Sequence, residues 1–266
     1  MKKIPEMELS ITKKLFRKRE NWKKVLFILK QTNLDITIIT AAASVARLND
    51  FHNFGHQLGA AEMGIKIARA EKLTKAEITE IAFALLFHDA SHRGIVQWYD
   101  EIRAIEAVEL VISESDVKGF SKKSYTEFMT TNRNLILATT FSKHGETNNL
   151  YERIMQDADL AHLGQGPVYW LWASMGLIIE FNRQREKKIT PIEFVRNEQT
   201  TFITALAKKG NGNVFLTEGA RRIFHNPIED VTLVALYNDK QIQFAFDIRT
   251  KDITVEEFAR QLEILE

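Results

Sequence analysis

The chain has 266 residues, 45% hydrophobic and 27% charged, which suits one large globular domain with room for a small appendage. A formal net charge of +1 argues against nucleic acid or a membrane surface as the main partner. The absence of cysteine excludes disulfides, zinc–thiolate sites and cysteine nucleophiles, so any metal must be held by His, Asp, Glu or water.

The opening MKKIPEMELS lacks the apolar stretch of a signal peptide. The longest uncharged stretch, 160–179, is interrupted by His162, Gly164, Gln165, Gly166 and Pro167, so no membrane span is expected. A soluble, cytoplasmic protein is the expectation. Nine Lys or Arg in the first 24 residues read as a solvated helix face or tail rather than an RNA-binding patch.

Four prolines punctuate long segments of helical periodicity. Trp22, Val25, Leu26 and Leu29 share one helical face. Asp35 can cap an alanine-rich segment that runs up to Leu48. A helix should start near Asn53 and pass through Met63 and Ile67 to Ala70. Thr74 with Glu77 forms a capping box for the next, which runs through Ile78, Ile81 and Leu85 to His88. Further helices are expected near 101–113, 123–143, 148–162, 167–184 and 191–209. No alternation of strands and helices is visible, which argues against a doubly wound fold. At the end, Ile242, Phe244, Phe246 and Ile248 alternate with Gln243, Ala245 and Asp247, the periodicity of a strand. The run from Leu233 to Tyr237 could pair with it across Asn238-Asp239-Lys240, and Thr254 with Glu257 opens a final helix. The expectation is an all-α bundle: N-terminal helices over 1–49, a catalytic body over 50–230, and a small appendage over 231–266, a β-hairpin plus helix.

The histidines are not scattered. His52 with His56, and His88 with His92, stand at i, i+4, which puts each pair on one helix face. Asp89 follows His88, and Asp157 and Asp159 come about seventy residues later. One helix offers only a strip of side chains, so a divalent ion in a helical bundle draws ligands from several. One His, a His-Asp doublet and an Asp from three helices can converge on one ion and leave positions for water. Water bound there loses a proton far more easily than bulk water and becomes a nucleophile near neutral pH.

The order H…HD…D resembles the HD-domain superfamily of metal-dependent phosphohydrolases. Phe51-His52-Asn53-Phe54-Gly55-His56 resembles the aromatic-H-N-x-x-H motif of cyclic-nucleotide phosphodiesterases and of small bacterial HD phosphohydrolases. His88-Asp89-Ala90-Ser91-His92 resembles the H-D-x-x-H that follows in the phosphodiesterases, and Asp157-Ala158-Asp159-Leu160 the closing D-x-D-L element. The small bacterial group is matched further by Ala138-Thr139 before His144 and by Leu163-Gly164, so the likeness covers roughly 50–225.

The resemblance implies an HD-type helical bundle with His56, His88, Asp89 and Asp159 as metal ligands, Asp157 being the alternative to Asp159. It implies one divalent ion, or two, drawn from Mn, Mg, Fe, Co, Ni or Zn. His52 would protonate the leaving oxygen, and His92 would lie near the metal water or the phosphate. His144 is a candidate for a second metal or a phosphate oxygen. Glu101 could orient a metal water, although a favourable charge at a helix N-terminus is the plainer reading. Arg93-Gly94 stands where the phosphodiesterases carry proline-glycine, and their purine-clamping glutamine has no counterpart. Arg93 could neutralise a phosphate or simply be a surface arginine. Tyr169, Trp170 and Trp172 could wall a pocket, core packing being the plainer role; His162 and His225 read as structural or exposed.

The implied activity is hydrolysis of a phosphomonoester, diester or diphosphate of a small nucleotide-like substrate, with oligomerisation left open. Two rivals belong to other classes: an HD-fold oxygenase with two irons, and a non-catalytic helical module stabilised by metal.

Overall fold

The computed structural model describes residues 19–93, 97–183, 185–228, 237–249, 253 and 255–263. Within them the chain is helical, and the one bridge of β type, Leu48 with Asn53, is isolated. No helix among them is long and apolar enough to cross a membrane. Of the basic N-terminal run, only Arg19, Lys23 and Lys24 fall inside the described residues.

The helices begin where short polar side chains can accept from orphan backbone N–H groups. Helix α1 is Arg19–Gln31 and α2 is Ile36–Val45, the latter capped by Asp35 accepting from Thr37 and Ile38. Asn53 caps α3, Phe54–Ala70, and the reciprocal Thr74–Glu77 box opens α4, Lys75–Phe87, as the sequence leads one to expect. After α5, Gln97–Val111, a Ser113–Asp116 box starts the short α6, Glu114–Phe120, which the periodicity does not reveal. Helix α7 is Tyr125–Ala138, ending five residues earlier than expected, and a 3₁₀ turn follows over Phe141–Lys143. Helix α8 is Leu150–Asp159, extended by a 3₁₀ turn over Leu160–Gly164, and α9 is Pro167–Arg183. Pro191–Glu193, a π-helical turn over Phe194–Gln199 and Thr200–Lys209 together form α10. Glu218–Ile223 is α11, Asp239–Arg249 is α12 and Val255–Glu263 is α13.

The expected C-terminal strand is a correction. Ile242 to Ile248 lies inside α12, and Leu233–Leu236, its expected partner, falls outside the described residues. Ile242, Ala245 and Ile248, three apart, are the buried apolar positions, while Phe244 and Phe246 are half-buried on the flanks. Four apolar residues at even spacing satisfy either period, and packing against a helical neighbour selected the helical one.

Among the described residues, two hydrophobic clusters make the core. The larger is built on α3 and α4, with α1, α2, α5, α7 and α8 around them. The smaller joins α9 and α10 to α12 and α13 through Trp170, Leu171, Met175, Ile203, Ile242, Ile248 and Phe258. The two C-terminal helices therefore share a core with helices that precede residue 230. Gly64 sets the spacing in the first cluster. A Cβ there would lie 2.2 Å from Leu85 Cδ1 and 3.4 Å from Ala158 Cβ, so its absence lets α3, α4 and α8 approach closely.

Candidate metal centre

Helices α3 and α4 run antiparallel through a short turn, so the start of α3 and the end of α4 meet at one end of the bundle. Asn53 fixes where α3 starts. Its Oδ1 accepts from Gly55 N at 2.8 Å and His56 N at 3.3 Å, which places His56 in the first turn. His88 ends α4, and the chain then turns back with Ala90 N donating to Phe87 O and Ser91 N to Val45 O. Ser91 takes a left-handed φ of 60° in that turn. Asp159 is the last residue of α8. Two of the three helix ends here are C-termini, whose partial negative charge favours a cation.

His56, His88, Asp89 and Asp159 come together with their donor atoms within 4.8 Å of one another. His56 Nε2 lies 3.3 Å from Asp89 Oδ2 and 3.1 Å from Asp159 Oδ1; His88 Nε2 lies 3.1 and 3.2 Å from the same two atoms. Donors about 2.1 Å from an ion stand about 3.0 Å apart at right angles and about 3.4 Å apart in a tetrahedron, so these separations fit a single ion. Asp89 Oδ2 is a buried oxygen that the two imidazole nitrogens approach without hydrogen-bond geometry, an arrangement that a cation explains. His88 Nδ1 lies 2.8 Å from Leu85 O, and donation to that carbonyl leaves Nε2 as the lone-pair nitrogen facing the cluster. Burial alone would lower the pKa of His88, but the charges of Asp89 and Asp159 raise it well above the usual imidazole value. Burial would raise the two carboxyls, but the facing imidazoles hold both well below their usual range. Without an ion, a protonated His88 can pair with these carboxylates; a bound ion would take the place of that proton.

Asp157 is placed elsewhere. It is fully buried, and its carboxylate accepts from Leu216 N, Thr217 N and Thr217 Oγ1 at 2.7–2.8 Å, which secures the entry to α11.

His52 stands beside the cluster, held from behind. Glu180 of α9 accepts from the backbone N of Phe51 and of His52, and its Oε2 lies 2.7 Å from His52 Nδ1. Burial works against protonation of His52, but Asp89, Glu180 and Asp159 together raise its pKa to about 9. A divalent ion in the cluster would oppose that rise. Glu180 escapes the sequence reading, although a lone carboxylate in the apolar run Gly176-Leu177-Ile178-Ile179-Glu180-Phe181 was a signal available for it.

The ring of His92 stacks on that of His52, with centroids 4.0 Å apart and planes 16° from parallel. Burial and the neighbouring His52 charge push His92 down to about 4. His92 Nε2 is 3.5 Å from Asp100 Oδ2, and Asp100 Oδ1 accepts from Arg93 N at 2.8 Å. His52, Asp89 and His92 form a second set of donors within 4.8 Å. Glu101 is buried, with one oxygen lacking a hydrogen-bond partner. Burial, with Asp89 and Asp100 adding to it, pushes Glu101 up to about 7.

The remaining candidates fall outside the cluster. Arg93 has an exposed side chain. His144 is buried with Nε2 3.0 Å from Val214 O. His225 is exposed. Trp170 is core, Trp172 is half-buried against Phe258, and Tyr169 donates to Glu256 at 3.1 Å. His162 lies closer than the sequence suggests, its ring 6.2 Å from that of His56 and 5.0 Å from that of Phe51.

No protein-family model and no curated protein sequence matches the chain. Solved structures do. Two are of the phosphodiesterase domain of a rhodopsin phosphodiesterase from the choanoflagellate Salpingoeca rosetta. One is 16% identical with a TM-score of 0.55, covering all of this chain and 94% of that one. The other is 15% identical with a TM-score of 0.58, covering all of this chain and 92% of that one. A third, LmjPDEB1 in complex with IBMX, is 17% identical with a TM-score of 0.57, covering 89% of this chain and 85% of that one. The fold is therefore the all-α fold of phosphodiesterase domains, and the described residues hold within it a cluster able to bind metal.

Proposed function

We propose that the protein is a metal-dependent phosphohydrolase that cleaves a phosphate ester of a small nucleotide-like substrate. The observation that carries this reading is the four-donor cluster with a carboxylate-held imidazole beside it. His56, His88, Asp89 and Asp159 would hold the ion, in an HD-type arrangement. A divalent ion supplies an activated water and neutralises the phosphoryl oxygens. His52 carries a proton near neutral pH and gives it to the departing oxygen, Glu180 fixing the ring so that Nε2 is the donor. Glu101, buried and able to exchange a proton near pH 7, orients or deprotonates the attacking water. His92 keeps its neutral ring stacked on His52 and faces the same carboxylate, Asp89. The phosphodiesterase domains of the same fold, one solved with IBMX, support a nucleotide-like substrate.

A two-metal site is the second reading, because His52, Asp89 and His92 share Asp89 with the first set. His52 would then be a ligand and not an acid, and a di-iron oxygenase would become the rival activity. One experiment separates these. Protein loaded in turn with Mn, Mg, Fe, Co, Ni and Zn is assayed on phosphomonoesters, diesters and diphosphates, with metal counted per chain. The expected result is one ion retained by wild type and by His52→Ala, and lost with activity in Asp89→Ala. His52→Ala should lose about 10²- to 10⁴-fold in turnover on esters with poor leaving groups. Loss of metal in His52→Ala would remove its role as acid. Two irons with oxygen consumption, or no hydrolysis across the panel, would remove the hydrolase reading.

A further inference from the structure

The segment that carries His52 is gripped from two sides. Glu180 takes the N–H groups of Phe51 and His52. Asp50, the residue before them, is held by two arginines. Arg183, one turn after Glu180 on α9, pairs with its carboxylate at 2.6 Å. Arg249, the last residue of α12, donates from Nη2 to the Asp50 carbonyl at 2.6 Å and from Nε to the Trp172 carbonyl at 3.2 Å. The guanidinium lies over the Trp172 ring, 4.5 Å from its centroid.

The contact has been given room. Gly176 stands one turn after Trp172 and one turn before Glu180 on α9. A Cβ on Gly176 would lie 2.9 Å from Arg249 Nη2 and 3.0 Å from the Asp50 carbonyl oxygen. One missing methyl therefore lets a guanidinium and a backbone carbonyl meet on the helix surface that also presents Glu180. The planar fork suits this task, because its fixed N–H directions reach two carbonyls on separate elements at once. Arg249 is 199 residues away from Asp50 in the chain, so the bridge ties the C-terminal helices to the start of the site.

We infer that Arg249 is a positioning residue, which clamps the Asp50 carbonyl and thereby holds His52 in register with Glu180 and the metal cluster. This rests on the reading of His52 as proton donor, and the test keeps the two apart.

The variants are Arg249→Met, Arg249→Lys and Gly176→Ala, with His52→Ala as reference, all in the full chain loaded with Mn. A nucleoside phosphate ester, whose alcohol needs a proton to leave, is compared with a p-nitrophenyl phosphate ester, whose phenolate leaves without one. Melting temperature and metal content are recorded for each protein. The His52 ring N–H signals are followed by nitrogen-15 NMR on metal-free protein, assigned with His52→Ala.

Arg249→Met should keep its metal and lose about 10- to 100-fold in kcat on the nucleoside ester, the scale of a small misplacement. The p-nitrophenyl ester should stay within about twofold, since it bypasses the donor. Gly176→Ala should reproduce this pattern, and Arg249→Lys should recover part of it. The His52 Nδ1–H signal, sharp in wild type, should broaden or shift in Arg249→Met. In the His52→Ala background, Arg249→Met should add no further loss.

An unchanged His52 signal in folded Arg249→Met overturns the inference, whatever the activity. Where His52→Ala itself spares the p-nitrophenyl ester, equal loss on both esters in Arg249→Met overturns it too, since that marks a general structural role. If Arg249→Met does not fold, the same two criteria are applied to Gly176→Ala and Arg249→Lys. If the His52 signal moves but His52→Ala itself treats the two esters alike, the clamp stands and the proton-donor reading falls.

Discussion

His144 is buried and His52 half-buried, and their surroundings push them in opposite directions. His52 sits among carboxylates, which raise its pKa to about 9. His144 meets a neutral carbonyl, and burial, with the charge of Lys209 adding to it, pushes it down to about 4. The consequence for stability has a definite sign. Above the unfolded value of about 6.5, His144 is neutral in both states and imposes no cost. As pH falls from there towards 4, the unfolded chain takes up a proton that the folded chain refuses, so stability declines; below about 4 the loss is complete. The loss is on the order of 3 kcal/mol across that window. His144→Gln keeps an N–H for the Val214 carbonyl but does not titrate. It should flatten the fall in melting temperature between pH 6.5 and 4 relative to wild type, as measured by calorimetry at each pH. A parallel fall in both proteins would show that His144 is not a source of acid lability.

At the scale of elements, the helix starts were legible because their signals are local. Thr74 with Glu77 and Asp35 with the N–H groups that follow it act within three residues, and no distant packing is needed to read them. The C-terminal helix was misread because its signal is not local. In a strand, Gln243, Ala245 and Asp247 would share the solvent face; in α12, Gln243 is exposed, whereas Ala245 is fully buried against α9 and α13. Ala245→Glu should therefore cost several kcal/mol by burying a carboxylate in an apolar cluster. At about 2–4 °C per kcal/mol, the melting temperature should fall by more than about 5 °C. Gln243→Lys, placed four residues before Asp247, should leave it within about a degree. Equal tolerance of both substitutions would contradict the helical packing.

Across the whole molecule, the site lies on the seam between two cores. The larger core carries the candidate metal donors at the ends of α3, α4 and α8, and the smaller supplies Glu180 and Arg249 from α9 and α12. An ion that binds only the folded arrangement stabilises it by mass action, by about 2.7 kcal/mol at a hundredfold excess over Kd. Chelator-treated protein should therefore melt several degrees below Mn-loaded protein, and Asp89→Ala should show no difference between the two conditions. Equal melting of wild type with and without Mn would count against a preformed ion site in the folded chain.

The sequence alone determined the helical class of most of the chain and the residue types available for a metal. Spacing at i, i+4 and polar caps are properties of a few neighbouring residues, and no alternative fold erases them. It also brought out His56, His88 and Asp89 as donor types, but the pairing of each i, i+4 couple on one helix face fails: His52 precedes the cap of α3, and Asp89 and His92 lie beyond the end of α4. The choice between Asp157 and Asp159 belonged to the tertiary structure. Two residues apart on a helix lie on different faces, and only docking of the 216–217 backbone shows which face is occupied. The same is true of Glu180 behind His52, 128 residues away, and of Arg249 on the Asp50 carbonyl. Contacts of that separation leave no local pattern that names the partner; they exist because two packed cores bring helix ends together and leave a carboxylate and a guanidinium facing backbone groups that need partners.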